Sequence, residues 1–428
     1  MIAQITFGLG YRRMRWLIAG WLTLSVVLNV VDKQTLSILA PVLCEKFHLS
    51  VQDYSHVVTA FLVSFTLMYA VGGRLVDWIG ERLGMAICIL WWSLCTMATA
   101  LASGGLSLGA IRFLLGIGEP GNYPAALRAC TRWFPKEERG LPVATFSSGG
   151  AVGNMIAPPL ISALTLYLGW RAAFLLPGAL GLLWLAGWLL IYRVPAEYPG
   201  VKPEELRALD GGTSGARPPR WTALLTNRSV LALVLSRLIS DPVWYLYQFW
   251  IPVYLKQERG FTLGDIGMYG WIPFVAGALG GMAGGRASDV LIRRGTSAAK
   301  ARTRVLYLSS AIAPFGILIT RVSSAAAAIS LIAVVAFIVY SWFINTAAII
   351  PDVVPENAVG SVLGIMGTAG SLGGALFQPL VGYVVAHYSF APVFAMAGSM
   401  HVAGALVLWA LMPDARARIA IGEKLNET

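Results

Sequence analysis

The chain has 428 residues, of which 57% are hydrophobic and only 12% charged, with a mean hydropathy of +0.69. Soluble domains carry about a quarter of their residues as charges, so a soluble globular fold is excluded and a polytopic membrane protein remains. The net charge of +11 does not indicate nucleic acid, because the basic residues gather in the joints between apolar stretches.

Stretches of about 20 apolar residues, enough to cross a bilayer as a helix, recur from end to end. Twelve are read: segment 1 over 16–41, then 54–77, 83–102, 106–131, 141–167, 171–192, 229–256, 266–293, 303–320, 325–350, 358–386 and 390–412. The alternation of a membrane β-barrel is absent. The first segment follows Arg12, Arg13 and Arg15, as a signal peptide would, but it is too long and lacks a small-residue cleavage site. Arg128, Arg132, Lys136 and Arg139 follow segment 4, and Arg293, Arg294, Lys300, Arg302 and Arg304 follow segment 8. These joints share one side of a twelve-span layout, which the positive-inside rule makes cytoplasmic together with both termini. Asp352 and Glu356 run against that trend, although acids count little in the rule. Cys44, Cys88, Cys95 and Cys130 have no metal-like spacing and read as small buried residues.

Segment 1 carries Asp32 and Lys33, segment 4 carries Arg112 and Glu119, and segment 7 carries Arg237 and Asp241. An ionisable group at the centre of a membrane helix costs about 2.5 to 3.5 kcal/mol, so its default reading is functional. Arg112 and Glu119 are seven residues apart, on one helical face and about 10 Å apart along the axis. The arginine fork matches a carboxylate bidentately, which makes Arg112 the candidate anchor for an anionic substrate; snorkelling outward or neutralising Glu119 are the alternatives. Asp32 and Glu119 are the candidate proton carriers, since burial favours a neutral carboxyl and a nearby cation an ionised one. A permanent pair of Asp32 with Lys33 or Arg112 is the structural alternative, although neighbours on a helix point about 100° apart, which disfavours Asp32–Lys33. Asp241 precedes Pro242, a helix-bending residue, and serves either a gate or a pair with Arg237 one turn earlier. Tyr245 and Gln248 form a stripe at i and i+3; with Trp342, Asn345 and Gln378 they are candidate contacts for a hydroxylated ligand. His48, His56, His387 and His401 read as surface or packing residues.

The one long polar joint, 193–228, divides the chain into halves at 1–192 and 229–428. "GRLVD" (Gly73 to Asp77) closes segment 2 and "GRASD" (Gly285 to Asp289) closes segment 8; Gly149, Gly153 and Pro158 of segment 5 recur as Gly370, Gly374 and Pro379 of segment 11. These repeats predict an all-α fold of two parallel six-helix halves.

"GRLVDWIGERLG", with Gly73, Asp77, Gly80 and Arg82, resembles the loop between helices 2 and 3 of the major facilitator superfamily. "DKQTLS", "RFLLGIGEPGNYPAALRACTRWFPKEER", "SDPVWYLYQFWIPVYL" and "GGALFQPLVGY" resemble bacterial hexuronate transporters of its anion:cation symporter family, a likeness spanning the chain. The resemblance implies a rocker-switch carrier, monomeric in the bacterial inner membrane, importing a small sugar acid with protons and needing no cofactor beyond the proton gradient. It implies coupling roles for Asp32 and Glu119 and a substrate clamp at Lys33. Asp77, near the start of segment 3 and opposite Arg82, reads either as a conformational lock or as a static clamp of the loop, and Asp289 holds the matching place in the second half, with Asp241 as a further gate candidate. Val30 stands where that family often has tyrosine, Lys33 where it often has arginine, and Val339 and Tyr340 where it often has His and Gln before Trp342. A hexonate, an aldarate or a less hydroxylated acid therefore stays open beside a hexuronate. An exporter of the same superfamily is the rival, but "GNMIAPPL" replaces the GPxxGG turn such antiporters tend to carry. A sensor or enzyme would need a soluble domain or a polar catalytic motif, and none is present in the sequence.

Overall fold

The computed structural model describes residues 10–198, 201–210 and 221–412, apart from the side chains of residues 77, 207, 208, 210 and 356. Over these residues the chain is a succession of helices. They are α1 (Tyr11–Phe47), α2 (Val51–Ile79), α3 (Glu81–Thr99), α4 (Gly105–Gly118), α5 (Asn122–Trp133), α6 (Gly140–Leu168) and α7 (Ala172–Ile191). After two short helices in the joint, Pro203–Asp210 and Trp221–Thr226, follow α8 (Arg228–Arg259), α9 (Leu263–Tyr269), α10 (Ile272–Arg293), α11 (Ala298–Ile312), α12 (Ala325–Ala348), α13 (Glu356–His387) and α14 (Phe390–Leu411).

Among the described residues, 11 spans are long and apolar enough to cross a membrane. The twelfth is segment 4, which the sequence reads as continuous over 106–131 and the structure divides into α4 and α5. Pro120 has no backbone N–H to donate back along the helix, so the regular hydrogen-bonding is interrupted over Glu119, Pro120 and Gly121, although Glu119 and Gly121 keep helical dihedrals. Segment 9 falls within one span, Ala298–Thr320, in which α11 ends at Ile312 and tight 3-10 turns continue over Ala313–Thr320, a stretch holding Pro314 and Gly316. Segment 8 is interrupted between α9 and α10.

Helix ends follow from local chemistry. Ser50 starts α2 with a reciprocal capping box, its side chain accepting from the Asp53 backbone N–H while Asp53 accepts from the Ser50 backbone. Gly80, at φ +82°, supplies the turn between α2 and α3.

The repeated glycines repeat a packing role. A Cβ on Gly149 of α6 would lie 2.6 Å from the Thr23 carbonyl of α1, and one on Gly153 would lie 2.9 Å from Val30 Cβ. On α13, a Cβ on Gly370 would lie 2.8 Å from Asp241 Cγ and one on Gly374 would lie 3.0 Å from Tyr245 Cγ. Segment 5 thus packs on segment 1 as segment 11 packs on segment 7, with backbones brought close by the missing side chains.

Three seams join the helices before the polar joint to those after it: α1 with α8, α2 with α13, and α6 with α9 and α10. Several of their contacts lie at the end of the bundle opposite the start of α1, called the far end below, while the α2–α13 seam runs on from there to Tyr69 against Gly367. Ser37 Oγ donates to the Gln248 carbonyl at 2.6 Å, and Tyr54 OH donates to the Phe249 carbonyl at 2.9 Å. Ser55 lies against Gly382, and Ser162 against Gly267. The first of these bonds has a backbone cause. Pro252 lacks an N–H, so the Gln248 carbonyl, four residues earlier, receives no bond from that position of its own helix. Pro41 does the same to Ser37 on α1, so two proline-loosened turns meet and the Ser37 hydroxyl satisfies the freed carbonyl. Ser37→Ala is expected to leave that buried carbonyl unpaired, costing the closed far end about 1 to 3 kcal/mol, a population change of roughly 5- to 150-fold. Spin-label distances across the far end should show a larger open fraction; an unchanged distribution would count against the latch.

Candidate functional site

Four intramembrane charges predicted from sequence come together where α1 meets the turn between α4 and α5. Asp32, Arg112 and Glu119 are 1%, 1% and 2% exposed. Lys33 Nζ lies 3.2 Å from Glu119 Oε2 and sits over the Phe65 ring, 4.8 Å from its centroid. Of this pair, Lys33 keeps 17% of its side chain exposed and Glu119 none, so the ammonium faces the accessible side and the carboxylate lies behind it. Lys33 therefore pairs across to segment 4, as the 100° separation from Asp32 requires.

Arg112 lies over the Phe174 ring at 5.3 Å. Its Nε and Nη2 are buried without hydrogen-bond partners, as are both carboxylate oxygens of Asp32. Arg112, Asp32 and Glu119 act on one another electrostatically, with Thr96 of α3 beside Asp32. Two acids and two bases make the group neutral overall, and a buried group that is both neutral and rich in unused hydrogen-bonding capacity is suited to exchanging partners.

On α8, Arg237 Nε donates to Asp241 Oδ2 at 2.7 Å, the i, i+4 pair read from sequence, and the guanidinium sits 4.0 Å from the Phe343 centroid. Tyr245 and Tyr69 lie within electrostatic reach of this pair, Tyr69 coming from α2 across the seam with α13. Gln248 is buried, and with Gln34, Trp244, Tyr247 and Tyr340 it lines a cavity between the two sets of helices. Gln34 and Asn154 were not anticipated from sequence; Gln34 Nε2 donates to Asn154 Oδ1 at 2.8 Å, fixing the amide at that wall.

The remaining candidate contacts are tied to the second set of helices. Trp342 Nε1 donates to Ser240 Oγ at 3.0 Å and its ring meets His401 edge-on at 5.3 Å. Asn345 Nδ2 donates to the Ser341 carbonyl at 2.9 Å, and Gln378 Oε1 accepts from Trp250 Nε1 at 2.6 Å.

At the near end, Gly73 is open on its side-chain face, and the Asp77 side chain lies outside the described residues. Arg82 Nη2 donates to the Leu189 carbonyl of α7 at 2.8 Å, and Asp289 is exposed on α10. Sequence reading passed over Glu81. It is 2% exposed, accepts from Tyr192 OH at 2.9 Å and pairs with Arg128 and Arg132, both at 3.1 Å. The signal was the acid in "GERLG", two residues after a helix and opposite the basic run of α5.

Residues 22–378 match the model of the Major Facilitator Superfamily. The chain is 29% identical over 408 residues to the hexuronate transporter of Escherichia coli (strain K12), covering 94% of each. It is 33% identical over 279 residues to the galacturonate transporter of Dickeya chrysanthemi, covering 64% of this chain and 81% of that one. Among solved structures it superposes on a D-xylose–proton symporter with a TM-score of 0.73 at 17% identity, covering 93% of this chain and 98% of that one. A bacterial homologue of the lysosomal transporter Spinster, inward-facing and unoccupied, gives 0.70 at 19% identity, covering 97% and 98%. A family match of this extent, on a helical bundle with these spans, fixes the class: the chain belongs to the Major Facilitator Superfamily and is a membrane transporter, not an enzyme.

Proposed function

We propose that the protein imports a monoanionic sugar acid, a hexuronate in the first instance, together with a proton by alternating access. The relatives named for hexuronate, galacturonate and D-galactonate transport support the substrate class. The observation that carries the mechanism is the neutral cluster of Asp32, Lys33, Arg112 and Glu119. A carboxylate entering it adds one negative charge, and one proton on a carboxylate of the cluster restores neutrality, so anion and proton are favoured together where either alone would leave a buried charge uncompensated.

Arg112 takes the substrate carboxylate, Lys33 leaves Glu119 to meet it, and Glu119 or Asp32 takes the proton. Gln248 offers an amide from the cavity wall opposite, Tyr245 stands beside the Arg237–Asp241 pair, and Trp342, Asn345 and Gln378 reach the substrate only on exchanging their present partners Ser240, Ser341 and Trp250. In this reading the far end faces the periplasm and is shut, residues 193–228 link the two halves in the cytoplasm, both termini are cytoplasmic, and the protein is a monomer of the bacterial inner membrane. Asp77, Asp241 and Asp289, with Gly73, Gly80 and Arg82, belong to the gates that alternate.

Proteoliposome uptake tests it: D-glucuronate or D-galacturonate should accumulate under an inwardly directed proton gradient and equilibrate when an uncoupler is added. Accumulation that ignores both the gradient and the uncoupler rejects proton coupling, and accumulation only of other carboxylates rejects the hexuronate.

A further inference from the structure

We propose that the outward face of the hairpin formed by α10 and α11 is a docking groove for an anionic phospholipid. Arg286 of α10 and Arg304 of α11 line one groove with Val290, Leu291, Val305 and Leu308. Both arginines are exposed, and the faces they continue are apolar and open: Leu279 and Met282 on α10 are 52% and 64% exposed, and Leu308 on α11 is 63% exposed. These are surfaces for acyl chains, with a guanidinium at the same edge of each.

Depth places that edge. Arg286 precedes the last residue of α10, Arg293, by seven positions, and Arg304 follows the first residue of α11, Ala298, by six, so each lies about 10 Å from its helix end. With helix ends at headgroup level, that is the boundary between headgroups and hydrocarbon. An arginine there reaches outward with its charge and leaves its methylenes on apolar surface.

Neither guanidinium has an acidic partner among the described residues. Arg304 Nη1 has the Thr296 hydroxyl at 3.4 Å, and Asp289, one turn from Arg286, lies beyond ion-pair distance. The turn adds Arg293 and Arg294, both exposed. Four arginines against one aspartate, over an apolar floor, select a headgroup with net negative charge over a zwitterionic one. Two forks at one depth suit a phosphate bidentately, and the apolar floor distinguishes a lipid from a free anion.

The test uses the full-length protein in detergent and native mass spectrometry with phosphatidylglycerol and phosphatidylcholine at equal concentration. Wild type should retain phosphatidylglycerol preferentially, and inorganic phosphate in excess should not displace it. The double variant R286A/R304A should bind it roughly 30-fold more weakly, with phosphatidylcholine unchanged, and R286K/R304K should restore most of the loss. Should the double variant fail to fold, R304A alone should lose roughly 5-fold. Equal retention by wild type and the alanine variants, equal binding of the two lipids, or displacement by phosphate would each overturn the proposal. Transport is not measured, so the result stands apart from the substrate reading.

Discussion

Arg112→Lys should reduce uptake about a hundredfold or more while the protein still folds and reaches the membrane. The guanidinium is buried, lies over the Phe174 ring, and holds two nitrogens, Nε and Nη2, with no protein partner. Two parallel donors in a fixed plane match a carboxylate; lysine offers a point charge on a flexible stem. Lysine keeps the charge that Asp32 and Glu119 feel, so the loss should appear in substrate affinity and not in folding. Arg112→Ala is the contrasting case: it leaves two buried acids against Lys33 alone, and breaking a buried charge group in this way costs about 3 to 5 kcal/mol of stability. Thermal unfolding should separate the two variants, and near-normal uptake by Arg112→Lys would remove Arg112 from the substrate site.

What the sequence made legible were features with a local signature. Twelve spans follow from hydropathy alone, and the parallel halves follow from two glycine motifs recurring in order. Arg237 and Asp241 are four residues apart on one helix, so their pair could be read before any fold was known. The partner of Lys33 could not. Its carboxylate, Glu119, lies 86 positions away by sequence number, and only the meeting of α1 with the α4–α5 turn brings them within 3.2 Å. The same turn shows how a long apolar run misleads: hydropathy is blind to Pro120, whose missing N–H divides the helix at the acid that matters.

The far-end latch was also hidden, although its cause is local. Ser37 and Gln248 each stand four residues before a proline, Pro41 and Pro252, so each marks a freed carbonyl on its helix, and Pro242 frees a second on α8 at Leu238. That the two loosened turns face one another is tertiary information. In the cycle proposed above the Ser37 bond breaks as the ionic cluster changes partners, which would link gate and site through one helix: Lys33 and Ser37 are one turn apart on α1.

Glu119→Gln isolates the proton from the substrate. Glutamine keeps the shape of the side chain and removes its charge, leaving Asp32 against Lys33 and Arg112, a cluster with one excess positive charge. An incoming monoanion then neutralises the cluster with no proton needed, so binding and counterflow exchange should persist. Net accumulation should not. A one-to-one symport of a proton with a monoanion moves no net charge and is driven by the pH gradient alone, each pH unit supporting roughly tenfold accumulation. With the membrane potential clamped at zero, wild type should reach that ratio, and Glu119→Gln, which moves the monoanion uncompensated, should stop at equal concentrations on the two sides while still exchanging labelled for unlabelled substrate. Asp32→Asn in parallel separates the two acids: if it alone loses accumulation and Glu119→Gln keeps the tenfold ratio, the proton travels on Asp32 and Glu119 serves only to hold Lys33.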